Sequence, residues 1–100
     1  MGYKIVTVPA SQRALKKLPK NIRKQLIKAA ESLKDNPLLG EKLNHPFQNF
    51  RSFHIKHNNT QYRVVYEVQA KRKYIVIRYA ASRENFYKEL RRLNPKPIQD

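Results

Sequence analysis

Two stretches, FRSFHIKHNNTQYRVVYEV (residues 50–68) and KYIVIRYA (residues 73–80), carry side chains that can grip a phosphate or move a proton: His54, Lys56, Arg63 and Arg78. Their spacing matters because successive side chains of a strand point to opposite faces. His54 and Lys56 therefore fall on one face with Ser52, and Phe53 and Ile55 on the other. The next run separates Tyr62, Val64, Tyr66 and Val68 from Arg63, Val65 and Glu67, and the last sets Ile75 and Ile77 against Val76 and Arg78. If the apolar sets face a helical layer, His54, Lys56, Arg63 and Arg78 are expected together on the open face, as a basic concave platform.

Such a set suits phosphodiester chemistry. A guanidinium stays charged at any relevant pH and can donate two parallel hydrogen bonds to phosphate oxygens. An imidazole titrates near neutrality and can act as acid or base, and a lysine amine can do so where neighbouring cations favour its neutral form. RNA needs little more, because its own 2′-hydroxyl can attack the adjacent phosphate without a metal. Each residue also has a plainer use. His54 can be a surface histidine, as can His57 and His45, which are weaker candidates, and Arg63 can pair with Glu67 along its own strand face. No paired-histidine metal signature is present, and with Gly2 and Gly40 as the two glycines there is no phosphate-binding loop. No cofactor is expected.

The elements that must position these residues can be read from pattern. YKIVTV (3–8) has strand composition and stops at Pro9. Ser11 is expected to cap a short helix over 12–17, and Pro19 to end it and open the next. Ile22, Leu26, Ile27, Ala29, Ala30 and Leu33 recur at helical spacing, which predicts a helix over about 20–34 ended by Asn36 and Pro37. Residues 36–49 read as a loop. FRSFHIKH, QYRVVYEV and KYIVIRYA, separated by HNNT and QAKR, predict an antiparallel meander. ENFYKELRRL looks helical, and residues 94–100 are a polar tail. The expected fold is α+β, a four-stranded sheet in β-α-α-β-β-β-α order with an N-terminal helical hairpin packed on one face, in a single domain over 1–93.

Lysine and arginine number 22 against 7 acidic residues, a formal charge of +15. That is well beyond the roughly 2 to 8 charges that keep a small domain soluble, and it points to a polyanion, nucleic acid first. No segment pairs a basic face with a broad aromatic and leucine face, so a membrane surface is not expected as partner. Cysteine is absent, so packing must hold the fold without disulfides or thiolate metal sites. No apolar run approaches the roughly 18 to 20 residues of a membrane span, and MGYKIVTVPA lacks the apolar core of a secretory signal, so the chain is expected in the cytoplasm.

ALKKLP ahead of a basic amphipathic helix, GEKL in the loop, FRSFHI before QYRVVYEV, and SRENFY together resemble the RelE toxins of the RelE/ParE superfamily, over Tyr3 to about Leu93. The resemblance implies the toxin half of a toxin–antitoxin pair, an endoribonuclease that cuts mRNA, in many members while the message sits in the ribosomal A site. Carried over by position, it assigns catalytic roles to Lys56, Arg63, Arg83 and Tyr87, with His54 standing where the best-studied members have lysine. Ser82 stands where many relatives have histidine or lysine. Arg83 joins Arg63 as a phosphate donor, while Tyr87 can stack on a base or simply pack in the last helix. Arg51 and Arg78 are expected to add RNA contacts, and Arg23, Lys24 and Lys28 to form a solvated face that touches ribosomal RNA. The implied partner is an acidic cognate antitoxin whose C-terminal segment wraps the toxin. Two other activities fit the same sequence: a ParE-like gyrase inhibitor and an RNA-binding module without turnover.

Overall fold

A computed structural model of the chain describes residues 2–44, 47 and 49–82. The sequence-expected final helix, the 94–100 tail, Arg83, Tyr87 and His45 lie outside the described residues. β1 (Lys4–Thr7) leads into α1 (Pro9–Lys16) and α2 (Lys20–Leu33), followed by β2 (Glu41–Lys42), β3 (Phe50–His57), β4 (Thr60–Gln69) and β5 (Tyr74–Ser82). They form one sheet in the order β1-β5-β4-β3-β2. β3, β4 and β5 make the expected antiparallel meander, and β1 lies parallel to β5, placing Lys4 opposite Tyr74 and Thr7 opposite Ile77. The sheet has five strands rather than four. The extra one, Glu41–Lys42, pairs with Ser52 and Arg51 across the edge of β3. Two charged residues bordered by Gly40 carry no strand pattern, and they are extended because β3 offers an unpaired edge, not because of their own propensity.

The helices cover one face. Ile22, Leu26 and Leu33 of α2 are buried against Ile55, Val64, Tyr66, Ile75 and Ile77 of the sheet, and Ala30 is buried as well. The hydrophobic face is narrower than the sequence pattern indicates, since Ile27 is 60% exposed. α1 begins at Pro9, three residues before the expected start. Proline at the first helical position is already set to the helical φ and lacks only an N–H that would have no partner there. Ser11 is therefore not the cap but sits inside the first turn, fully buried. Its Oγ accepts from the Val8 N–H at 3.0 Å and donates to the Val8 carbonyl at 2.8 Å.

The loop after α2 is fastened to the sheet by a buried phenol. Tyr66 in β4 is fully buried, and its hydroxyl accepts from the Gly40 N–H at 2.9 Å and donates to the Pro37 carbonyl at 2.7 Å. Arg51 of β3 adds a second fastening, its Nη1 donating to the Gly40 carbonyl at 2.7 Å. Only glycine fits at position 40, because a Cβ would lie 2.7 Å from both the Ser52 carbonyl oxygen and the Tyr66 hydroxyl.

Burial raises the Tyr66 phenol above its ordinary value of 10.0, with the Gly40 bond and the Arg51 charge pulling the other way. Because the folded value is the higher one, this group's contribution is complete below about pH 10 and is lost as pH rises through the folded value. Tyr66→Phe is expected to cost about 1 to 3 kcal/mol, since it leaves Gly40 N–H without its acceptor. Urea unfolding of both proteins should show that gap at pH 7 and see it shrink above pH 10; a constant gap would contradict the shifted phenol.

Candidate nucleic-acid interface

The turn between β3 and β4 sets the site. Asn58 and Asn59 connect His57 to its partner Thr60, with Asn58 at a φ of 55° in the left-handed region that asparagine tolerates. Counting back from this turn puts Lys56 opposite Gln61 and His54 opposite Arg63. Directly paired residues share a face with Cα atoms about 4.5 to 5.5 Å apart, so these four form one tight patch on the side away from α1 and α2. His54 and Lys56 are exposed, and Arg63 and Gln61 are partly buried. The amide nitrogen of Gln61 lies 3.0 Å from His54 Nδ1. That contact helps orient the ring through Nδ1.

Gln61 escaped the sequence reading, although HNNT as a tight turn gives enough register to place it beside His54 and Lys56.

Arg78 reaches the same face but not the solvent. Its side chain is 10% exposed and its Nη1 donates to Glu67 Oε1 at 3.0 Å, with Glu67 itself 1% exposed. The guanidinium carbon lies 5.1 Å from the centre of the Phe50 ring, and Nε has no hydrogen-bond partner among the described residues. The platform is therefore basic only toward the turn. Its other end is a second buried apolar cluster, Phe50, Val65, Tyr79 and Ala81, with Leu43 and Phe47 partly buried against it. A register shift between Val65 and Tyr66 explains the inward position of Arg78, because the extra residue on β5 re-aims the side chains there. Glu67 thus has Arg78 as an ion-pair partner.

Arg51 also differs from its expected use as an RNA contact. It lies opposite Tyr66, on the helix-covered face, and bonds the loop through the Gly40 carbonyl. His57 faces that side as well, with Nδ1 3.4 Å from Gln25 Nε2 of α2. Arg23, Lys24 and Lys28 are exposed on α2, separate from the His54 patch.

A family model described as the ParE-like toxin of type II bacterial toxin–antitoxin systems matches residues 5–91. No curated protein matches the sequence. Among solved structures, a free double-arginine mutant of the E. coli toxin RelE has a TM-score of 0.74 at 16% identity, covering 94% of this chain and 100% of that one. The RelBE2 toxin–antitoxin complex of Mycobacterium tuberculosis gives 0.68 at 25% identity, covering 83% and 100%. The archaeal RelE–RelB complex of Pyrococcus horikoshii gives 0.55 at 23% identity, covering 83% and 97%.

The internal pair leads to a stability test. Glu67→Ala strands a buried guanidinium and should cost about 3 to 5 kcal/mol, whereas replacing both partners, Glu67→Leu with Arg78→Met, should recover most of it. Denaturant unfolding of the three proteins checks this; a single variant as stable as wild type would mean that Arg78 reaches water.

Proposed function

The chain belongs to the ParE-like toxins of type II bacterial toxin–antitoxin systems, and from that premise we propose that it is an endoribonuclease that cuts mRNA, in association with the ribosome. The observation that carries this reading is the cross-strand pairing of His54 with Arg63, with Lys56 and Gln61 in the adjoining row, on the face opposite α1 and α2. A phosphate seated there meets a guanidinium and two groups able to exchange protons.

In the proposed reaction the 2′-hydroxyl oxygen attacks the adjacent phosphorus and the bond to the 5′-oxygen breaks, leaving a cyclic phosphate and a 5′-hydroxyl. Arg63 stabilises the charge that gathers on the phosphorane oxygens, where a preorganised donor contributes most. His54 and Lys56 divide the two proton transfers, one taking the 2′-hydroxyl proton and the other supplying the departing oxygen. By resemblance, Arg83 adds a second guanidinium and Tyr87 a ring or hydroxyl. The toxins in the Mycobacterium and Pyrococcus structures are complexed with antitoxins, and an acidic antitoxin is the proposed partner here, drawn by the charge of +15. Localisation in the cytoplasm follows from a ribosomal target. Among the described residues no helix is long and apolar enough to cross a membrane.

The family description also favours a second reading, inhibition of DNA gyrase as in ParE toxins. Incubation with translating ribosomes followed by mapping of mRNA ends, beside a gyrase supercoiling assay, separates the two. Arg63→Ala should lower cleavage about 10²- to 10³-fold, equivalent to about 3 to 4 kcal/mol, with its unfolding midpoint little changed. A folded variant that cuts at the wild-type rate removes Arg63 from the mechanism. Tyr87→Phe should slow cleavage more than it lowers stability, and an unaltered rate would deny its hydroxyl a part.

A further inference from the structure

A groove of about 610 Å³ runs between α1 and the adjoining ends of β4 and β5. It exists because the facing positions are small: Ala10 and Ala14 on the helix, Ala80 on β5. Into this space come Arg13 and Lys17, four residues apart and thus on one helix face, together with Tyr62 and Ser82 from the strands. Arg13 and Lys17 are exposed, and Tyr62 and Ser82 are partly buried. Among the described residues, none of these four side chains has a hydrogen-bond or ion-pair partner, and no carboxylate lines the groove.

Two cations and two hydroxyls without partners among the described residues call for a ligand rich in acceptors and negatively charged. The aromatic ring beside them suits a base, because bases stack on aromatic side chains whatever their sequence. The groove also has a neighbour. Ala81, which lines it, is the cross-strand partner of Arg63, and Tyr62 is the partner of Ser82, so the groove on the helix side and the His54 patch on the other side share the strand ends where β4 begins and β5 ends. A single-stranded chain crossing the end of the sheet would touch both.

We propose that this groove is a second subsite for single-stranded RNA, seating a nucleotide that flanks the cleaved bond, with its phosphate on Arg13 and Lys17 and its base against Tyr62. The assignment rests on the ribonuclease reading for its ligand, though not for its geometry.

The test uses a fluorescent 2′-O-methyl octaribonucleotide, which binds but cannot be cut, titrated at several salt concentrations. Three proteins are compared: wild type, Arg13→Gln with Lys17→Gln, and a charge-matched control, Lys4→Gln with Lys71→Gln, whose changes lie at the opposite end of β5. The groove variant is expected to bind about tenfold more weakly than the control, and its log-affinity against log-salt slope should fall by about 1 to 2, as for two lost phosphate contacts on a single strand. Equal affinity and slope in the two variants would overturn the subsite. So would a hexaglutamate peptide that depends on Arg13 and Lys17 while RNA does not, which would assign the groove to an acidic protein segment. If the groove variant behaves as expected but wild type cuts no mRNA on translating ribosomes, the subsite stands and the ribonuclease reading falls. If wild type cuts mRNA and the two variants bind alike, the reverse holds.

Discussion

Everything in the proposed site hangs on the register of one hairpin. Side chains alternate with a period of two, so a slip of one residue between β3 and β4 would turn His54 and Lys56 toward the helices and Phe53 and Ile55 toward water. Two constraints resist it. Asn58 occupies a left-handed conformation that most residues avoid, and Ile55, Val64 and Tyr66 are buried with Leu26 and Leu33 in one core. The chemistry on one face is thus held in place by burial on the other.

The two faces solve different problems. The helix-covered face is an ordinary apolar core in which the Tyr66 hydroxyl finds both its hydrogen-bond partners in the loop at Pro37 and Gly40. On the opposite face a second buried apolar cluster adjoins a buried ion pair, and His54 and Lys56 are exposed near the turn. A chain with 22 basic residues still commits one arginine to its interior and one to fastening a loop. Overall charge says what kind of partner to expect, while burial decides which cations can meet it.

Much of this was legible in the chain. The meander, the face assignments of β3 and β4, and the helix over residues 20–33 follow from period and turn residues alone. So does the His54–Arg63 juxtaposition, once Asn58 and Asn59 are read as the turn. What escaped was set by tertiary context. The Glu41–Lys42 strand exists because an edge was vacant, and Arg78 is buried because of a register shift that no local pattern announces. Arg51 looked like a ligand contact by type, and its use as a loop fastener depends on Gly40 coming close enough to accept from it.

The parallel pairing of β1 with β5 bears on how the molecule comes into being. Lys4 to Thr7 lie against Tyr74 to Ile77, so the first strand made is among the last to find its place. Closing so long a loop is entropically costly and slow compared with forming the local β3–β4 hairpin. During synthesis, the strand that carries His54 can pair with the one that carries Arg63 while β1 still waits for its neighbour to emerge. The edge of the sheet, and the anchorage of the helices that follow β1, are completed only when most of the chain has left the ribosome. For a protein proposed to attack ribosomes, that order gives a nascent chain little chance to act on the machine still making it.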